Sequence, residues 1–334
     1  MAKSLFSIKR LYHITAISIT ALIFFSPVKV HCDEEYRAWT GEFMRIGAGA
    51  RAMGMGNAYT AVEGDIYSCY FNPAGLASMR QSQFALSFRY LSMDRMFKYL
   101  VFGRPIGPDA DFAVSWISAG TEDIMGRDLN GNPTTSLRDN RNAFTLTFSR
   151  NVTEWISIGL NAKMAFWKLA DEDAKAVGFD LGVILRPYNR LTAAFVVRDL
   201  NSRFTWQSKR WKKYISDKDG GQSLEKEDKF PLYYTGGLSY KLFSDKLLLS
   251  STLEFVEDNP VGLDLGISYA CIDRLTIRTG VYNYTSSDKL NSGSFTAGFT
   301  LKVSGSLQFD YAYASDGIEQ DNLHVVSLLM HYGE

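Results

Sequence analysis

From Gln83 to Tyr332 the chain alternates apolar and polar side chains over runs of roughly ten residues, each closed by a polar turn. The stretch 156–166 shows the period most clearly. Ile156, Ile158, Leu160, Ala162, Met164 and Phe166 share one parity, and Ser157, Gly159, Asn161, Lys163 and Ala165 the other. Successive side chains of a strand point to opposite faces, so each run predicts a strand with one oily and one wet face. Fourteen runs qualify: 83–92, 96–104, 110–119, 140–149, 155–167, 177–186, 190–199, 231–240, 246–255, 261–270, 274–283, 294–303, 305–314 and 323–332.

A soluble sandwich shares this alternation, so the connections must decide. After even-numbered runs they are short, as at 150–154, 187–189 and 271–273. After odd-numbered runs they are longer, above all 120–139 and 200–230, and the second carries the charge-dense RWKKYISDKDGGQSLEKEDK. Chance assignment would not sort connections by parity. An even strand count with turns on one side and long polar loops on the other predicts an all-β chain. Its expected architecture is a transmembrane antiparallel β-barrel of about 14 strands, of the bacterial outer-membrane kind with the turns periplasmic. The outward, lipid-facing set is then Phe84, Leu86, Phe88, Phe144, Leu146, Phe148, Ile158, Leu160, Leu265, Ile267, Phe295, Phe299, Leu307 and Phe309. The inward set holds the charges: Arg89, Lys163, Asp180, Arg198, Glu254, Asp264, Arg278, Lys302 and Asp310. No charge interrupts the outward set, as the cost of placing one in lipid requires.

The first residues form a separate element. Lys3, Lys9 and Arg10 precede the apolar run 11–28, and Val30-His31-Cys32 offers a cleavage site before Asp33, which predicts an export signal over 1–32. The run is just long enough to span a bilayer, so a retained anchor competes with that reading. Lys29 and His31 stand where small or apolar residues would precede a lipidated Cys32. Beyond Val30 no apolar run reaches the ~20 residues of a spanning helix. Aromatics make up 14% of the chain, which suits rings gathered at membrane interfaces. The 36 basic and 36 acidic residues cancel, leaving no electrostatic case for nucleic acid. Residues 33–82 read as a separate N-terminal segment and 83–334 as the barrel.

That N-terminal segment is glycine-rich between Ile46 and Met79. Its glycine spacing superficially suits a dinucleotide loop, but no buried strand precedes it and no βαβ unit follows. Glycine here lets the backbone turn sharply and pack closely. Asn72-Pro73-Ala74-Gly75-Leu76-Ala77 predicts a short capped helix, with Asn72 as N-cap and Pro73 at the first helical position. Lying just before strand one, the segment is placed to tuck into the lumen as a plug. The run Gly49-Ala50-Arg51-Ala52-Met53-Gly54-Met55-Gly56-Asn57-Ala58-Tyr59-Thr60-Ala61-Val62, followed by Asn72-Pro73-Ala74-Gly75-Leu76-Ala77, resembles the N-terminal hatch of PorV/PorQ-type proteins. These group with the FadL-like outer-membrane transporters and related spirochaete-type proteins. The resemblance implies a fourteen-stranded barrel with a hatch, and it assigns hatch or gate positions to Asn72, Pro73, Ala74, Gly54 and Gly56. Asn57 departs from the pattern, which usually has glycine there. The last strand ends His331-Tyr332-Gly333-Glu334 rather than on a terminal Phe.

Catalytic chemistry is not legible. His324 and His331 are seven apart on one predicted strand, so they face opposite sides and cannot share a metal. Asp128-Leu129-Asn130-Gly131-Asn132 has the outline of a calcium loop with the glycine and terminal Glu misplaced, and reads as a polar surface turn. No nucleophile with a partnered base can be named, so neither an enzyme, a catalytic residue, a metal nor a cofactor is expected. Cys69 and Cys271 could pair in an oxidising periplasm or stay free. Two functions remain. One is a FadL-like channel for uptake of hydrophobic or amphipathic small molecules, such as long-chain fatty acids. Arg89, Lys163 or Arg278 in the lumen would attract an acid group. The other is a PorV-like subunit of a secretion apparatus that binds cargo proteins through the loops 120–139 and 200–230.

Overall fold

A computed structural model of the chain describes residues 40–91, 95–128, 130–170, 172–208, 226–256, 259–287, 290–315 and 322–333. The predicted export signal lies outside them. The strands are β1 (Ser82–Tyr90), β2 (Met96–Pro105), β3 (Ala110–Arg127), β4 (Pro133–Asn151), β5 (Ile156–Leu169), β6 (Glu172–Tyr188), β7 (Leu191–Ser208), β8 (Lys226–Lys229), β9 (Tyr233–Leu242), β10 (Leu247–Val256), β11 (Asn259–Ile272), β12 (Leu275–Ser287), β13 (Leu290–Lys302), β14 (Leu307–Ala314) and β15 (Leu323–Tyr332). Every strand but the short β8 joins one antiparallel ring of fourteen, in chain order. The ring closes where β1 meets β15, from Ser82↔Tyr332 to Tyr90↔His324. Each of the fourteen predicted runs falls on one ring strand. The exception, β8, sits outside the ring on the far end of β7, pairing Arg203↔Lys229 to Trp206↔Lys226.

The two faces separate as the alternation requires. On β4, Phe144 and Leu146 are 50% and 54% exposed, whereas Thr145 and Thr147 between and beside them are 8% and 1% exposed. On β5 the outward apolar face runs from Ile158 to Phe166 and gives way to Lys168. Those residues span ~26 Å along the strand at ~3.3 Å each, or ~20 Å along the axis at a tilt of ~40°. That height is close to the ~25 Å apolar band of membrane barrels. Rings mark its ends, with Trp155, Tyr188 and Tyr332 exposed near the short turns and Tyr90 and Tyr234 near the longer connections.

The structure corrects the predicted loop 120–139. Most of it is strand, because β3 and β4 continue as a paired ribbon to Arg127↔Pro133. Alternation reports burial of one face, and it disappears where both faces meet water. Backbone pairing does not need it, so the ladder outlasts the pattern that predicts it. At its tip Asp128 accepts hydrogen bonds from the N–H groups of Asn130 and Asn132, at 2.9 and 2.8 Å, which is a turn and not an ion loop. Likewise β7 runs on to Ser208, while most of the charge-dense stretch 210–229 lies outside the described residues.

The ladder between β6 and β7 is irregular. Its register passes from Val177↔Arg203 to Phe179↔Leu200 to Leu181↔Val197, so β7 carries two extra residues. Asp199 and Asn201 take positive φ, 62° and 54°, at these bulges. The consecutive residues Arg198 and Asp199 therefore both turn inward and are buried. Alternation alone would send one of them to lipid.

Leu146→Arg should destabilise the folded barrel by about 2–4 kcal/mol, read as a lower denaturation midpoint in liposomes. Lys168→Gln, past the apolar band, should stay within about 0.5 kcal/mol.

Candidate functional site

The interior of the ring is filled by residues 41–79 of the same chain. They form two one-turn helices (Ala50–Met53 and Ser68–Phe71), two 3-10 turns (Glu42–Met44 and Pro73–Ser78) and irregular links. A chain with so little regular structure leaves many backbone groups unpaired, and burying them without partners is costly. The barrel wall supplies the partners. Ser327 Oγ accepts from Ala50 N at 2.8 Å, Thr296 Oγ1 from Gly56 N at 3.0 Å, and Gln83 Oε1 from Ile66 N at 3.0 Å. Ser239 donates to Ala61 O at 3.0 Å, Ser149 to Ala74 O at 3.2 Å, and Asn151 to Ala77 O at 2.7 Å.

Glycines in the wall let the two backbones approach. A methyl group on Gly159 or Gly182 would fall on Asn72, Pro73 or Ala74. On Gly266 or Gly280 it would fall on the Met55–Gly56 backbone, and on Gly237 it would lie 3.0 Å from Ala61 N. Gly56 itself has φ +61°, and a side chain there would sit 2.6 Å from Val281 O. Asn57 also takes the left-handed conformation at φ 58°, which asparagine tolerates better than most residues.

These contacts place the predicted hatch residues. Asn72 is fully buried. Its Oδ1 accepts from Ala74 N at 3.0 Å, the predicted N-cap, and its Nδ2 donates to Thr60 O at 3.0 Å. The helix it caps is 3-10 rather than α. Asn72, Pro73 and Ala74 lie against β5 and β6, whereas Gly54 and Gly56 lie against β12 and β13. The five positions are thus split between two sides of the ring rather than gathered in one spot.

Two buried ion networks hold the segment from these sides. In the first, Lys163 bridges Asp180 and Asp199 at 2.6 and 2.5 Å, Arg45 reaches Asp199 at 2.8 Å, and Asn161 donates to Asp180 at 3.1 Å. In the second, Arg51 pairs with Asp65 and also meets Gln308 at 2.7 Å and Asp310 at 3.4 Å. Arg278 donates to Thr300 at 2.5 Å close by. Burial alone would raise the pKa of Asp65, but the Arg51 charge and the Tyr67 N–H outweigh it and hold the carboxyl below its ordinary range.

Above the segment, at the end of the longer connections, lies a cavity of about 310 Å³. Its lining includes Arg45, Arg89, Arg198, Glu254, Asp264 and the hydroxyls of Thr60, Thr235 and Thr252. Of the three basic residues predicted to meet a ligand, only Arg89 lines it; Lys163 and Arg278 belong to the ion networks below. Thr235 and Thr252 were legible as inward positions by parity. Arg45 and Asp199 were not, because neither an irregular segment nor a bulge leaves a periodic mark.

Cys69 and Cys271 are both free. Cys69 is buried in the lumen, donating to Ile66 O at 3.0 Å, while Cys271 sits at the end of β11 beside the turn. His331 meets Gln308 and His324 meets Tyr311, each at 2.8 Å, on opposite faces of β15.

No family model matches the chain, and no curated protein does. Solved structures do resemble it. The CymD monoaromatic hydrocarbon channel aligns with a TM-score of 0.61 at 14% identity, over 86% of this chain and 98% of its own. The Pseudomonas putida toluene transporter TodX gives 0.56 at 13% identity, over 85% and 97%. A Pseudomonas aeruginosa FadL homologue gives 0.53 at 14% identity, over 83% and 96%. The likeness is one of fold: the chain has the architecture of the FadL-like barrels.

Gly159→Val should unseat Pro73 and Ala74 and make residues 41–79 several-fold more sensitive to limited proteolysis. Gly236→Ala, whose added methyl meets nothing within 4 Å, should not. Because the Asp65 pKa is depressed in the folded state, its contribution is full at neutral pH and is lost as pH falls below about 4. A spin label at Glu42→Cys, in a Cys271→Ser background, should gain mobility between pH 7 and pH 3 while the far-UV signal stays β-like.

Proposed function

We propose that this chain is an outer-membrane channel of the FadL-like kind, which takes hydrophobic or amphipathic small molecules across the bilayer. The observation that carries the proposal is a closed fourteen-strand ring, apolar outside, whose bore is occupied by the chain's own N-terminal segment. In this reading 1–32 is an export signal, 33–82 the hatch and 83–334 the barrel. Lipid surrounds the outer face and the short turns face the periplasm. The names of CymD and TodX, a monoaromatic hydrocarbon channel and a toluene transporter, support a small-molecule cargo for this architecture.

A bore filled by a fitted segment conducts only when that segment moves. Asn72, Pro73 and Ala74 are the proposed gate on one side, with Gly54 and Gly56 the proposed bearing on the other. Asn72 joins three stretches at once, through Ala74 N, Thr60 O and, at 3.5 Å, Val183 O on β6. Losing its amide leaves the Ala74 N–H and the Thr60 carbonyl buried without it, at about 1–3 kcal/mol for each such group. That is enough to shift a closed-to-open ratio by one or two orders of magnitude.

The mature chain reconstituted in liposomes should accelerate entry of at least one of labelled toluene, dodecanol and palmitate over protein-free vesicles. Asn72→Ala should raise that rate at least several-fold. A barrel that is folded and inserted yet accelerates none of the three, with or without the substitution, is not such a channel.

A further inference from the structure

The lumenal cavity has a composition that a conduit for bare hydrocarbon does not need. Among the described residues, polar atoms of its lining without a hydrogen-bond partner within the protein include the hydroxyls of Thr60, Thr235 and Thr252, the Asn57 side-chain oxygen and the Arg198 Nε. Thr60, Thr235, Thr252 and Arg198 are more than nine-tenths buried. Arg198 already donates through Nη2 to Phe71 O at 2.7 Å, which fixes its guanidinium against the N-terminal segment. Thr235 on β9 stands beside Glu254 on β10, and Thr252 beside Asp264 on β11, in the ladder register. Both hydroxyls therefore belong to one continuous patch of wall.

These atoms define what an occupant must carry. The Arg198 Nε only donates and the Asn57 oxygen only accepts, while each threonine hydroxyl does both. A matching ligand must therefore donate and accept several hydrogen bonds in one compact group. Its charge is constrained as well. Both signs line it, Arg45, Arg89, Arg95 and Arg198 against Glu42, Glu254 and Asp264, so a carboxylate or an ammonium head meets like charges along with opposite ones. Like charges at short range in a partly desolvated site are unfavourable for either. A head that is uncharged and rich in hydroxyls satisfies the wall without opposing either sign.

Resting on the channel reading above, we infer that the cavity is a selectivity site for amphiphiles with an uncharged polyhydroxylated head, a sugar or polyol. Such a head sits between Arg198, Thr235, Thr252 and Asn57, over Thr60. The same groups that leave hydrocarbon with nothing to bond thereby favour a hydroxylated one. Leaving them unmatched is what discriminates against the wrong ligand.

The test uses the full mature chain in lipid nanodiscs, titrated calorimetrically below the micellar range with three eight-carbon probes. These are octyl glucoside, octanoate and octylamine, which share a tail and differ in head. Octyl glucoside should bind saturably and at least tenfold more tightly than either charged probe. The isosteric pair Thr235→Val with Thr252→Val removes two hydroxyls and keeps their volume, so the glucoside should weaken about tenfold while the octylamine and octanoate isotherms stay put. Arg198→Lys, which keeps the charge but loses the Nε donor, should weaken it several-fold. Octanoate binding as well as the glucoside, no saturable glucoside binding, or a glucoside isotherm unmoved by the valine pair would each overturn the inference. The channel reading is separable, since entry of dodecanol or palmitate into liposomes can succeed when every glucoside outcome fails.

Discussion

An antiparallel sheet has two edges, each a row of backbone N–H and C=O groups without partners, and in an apolar medium such a row is very costly. Here the two edges are β1 and β15, and they pair with each other along the whole of β1. The rest of the architecture depends on that closure. It permits an outer face of Phe, Leu and Ile with no charge in its middle. It also creates an enclosed space lined by the other parity of every strand, where Arg, Lys, Asp and Glu can be buried if each finds a partner.

The enclosed space is filled by the residues that precede the ring. Their backbone is mostly irregular, so its polar groups depend on Ser149, Asn151, Ser239, Thr296 and Ser327 from the wall. Their close approach depends on wall glycines opposite, at 159, 182, 237, 266 and 280. Glycine in a strand weakens it, so its recurrence on the lumenal parity has a compensating use in seating a second backbone. Two ion networks then brace the segment from opposite walls. Removing one member of such a buried group leaves an uncompensated charge, which costs more than the intact group contributes. The segment is consequently fitted rather than loosely lodged, and any opening must break discrete contacts.

Above it the lumen changes character. The lining there offers hydroxyls and charges of both signs beside apolar side chains such as Ile46, Phe71 and Leu323. The inside buries apolar side chains as well, Phe43, Tyr59, Phe71 and Leu76 of the segment among them.

The strand count, the facing of nearly every strand residue, and the short capped turn at Asn72 were determined by the residues themselves, because each depends on local spacing. Alternation reads out which face is buried, and Asn72-Pro73 reads out a helix start. Three things were decided only in three dimensions. The reach of β3 and β4 to Arg127 and Pro133 lies where both faces are wet, so no period marks it. The inward turn of Asp199, next to an Arg198 that parity already sends inward, comes from bulges that alternation cannot register. The company each charge keeps was also hidden: Lys163 and Arg278 share a parity with Arg89, yet they are locked into ion networks while Arg89 faces the cavity. Parity says which side of a wall a residue occupies; only the closed ring, with its filling, says at what height and beside whom.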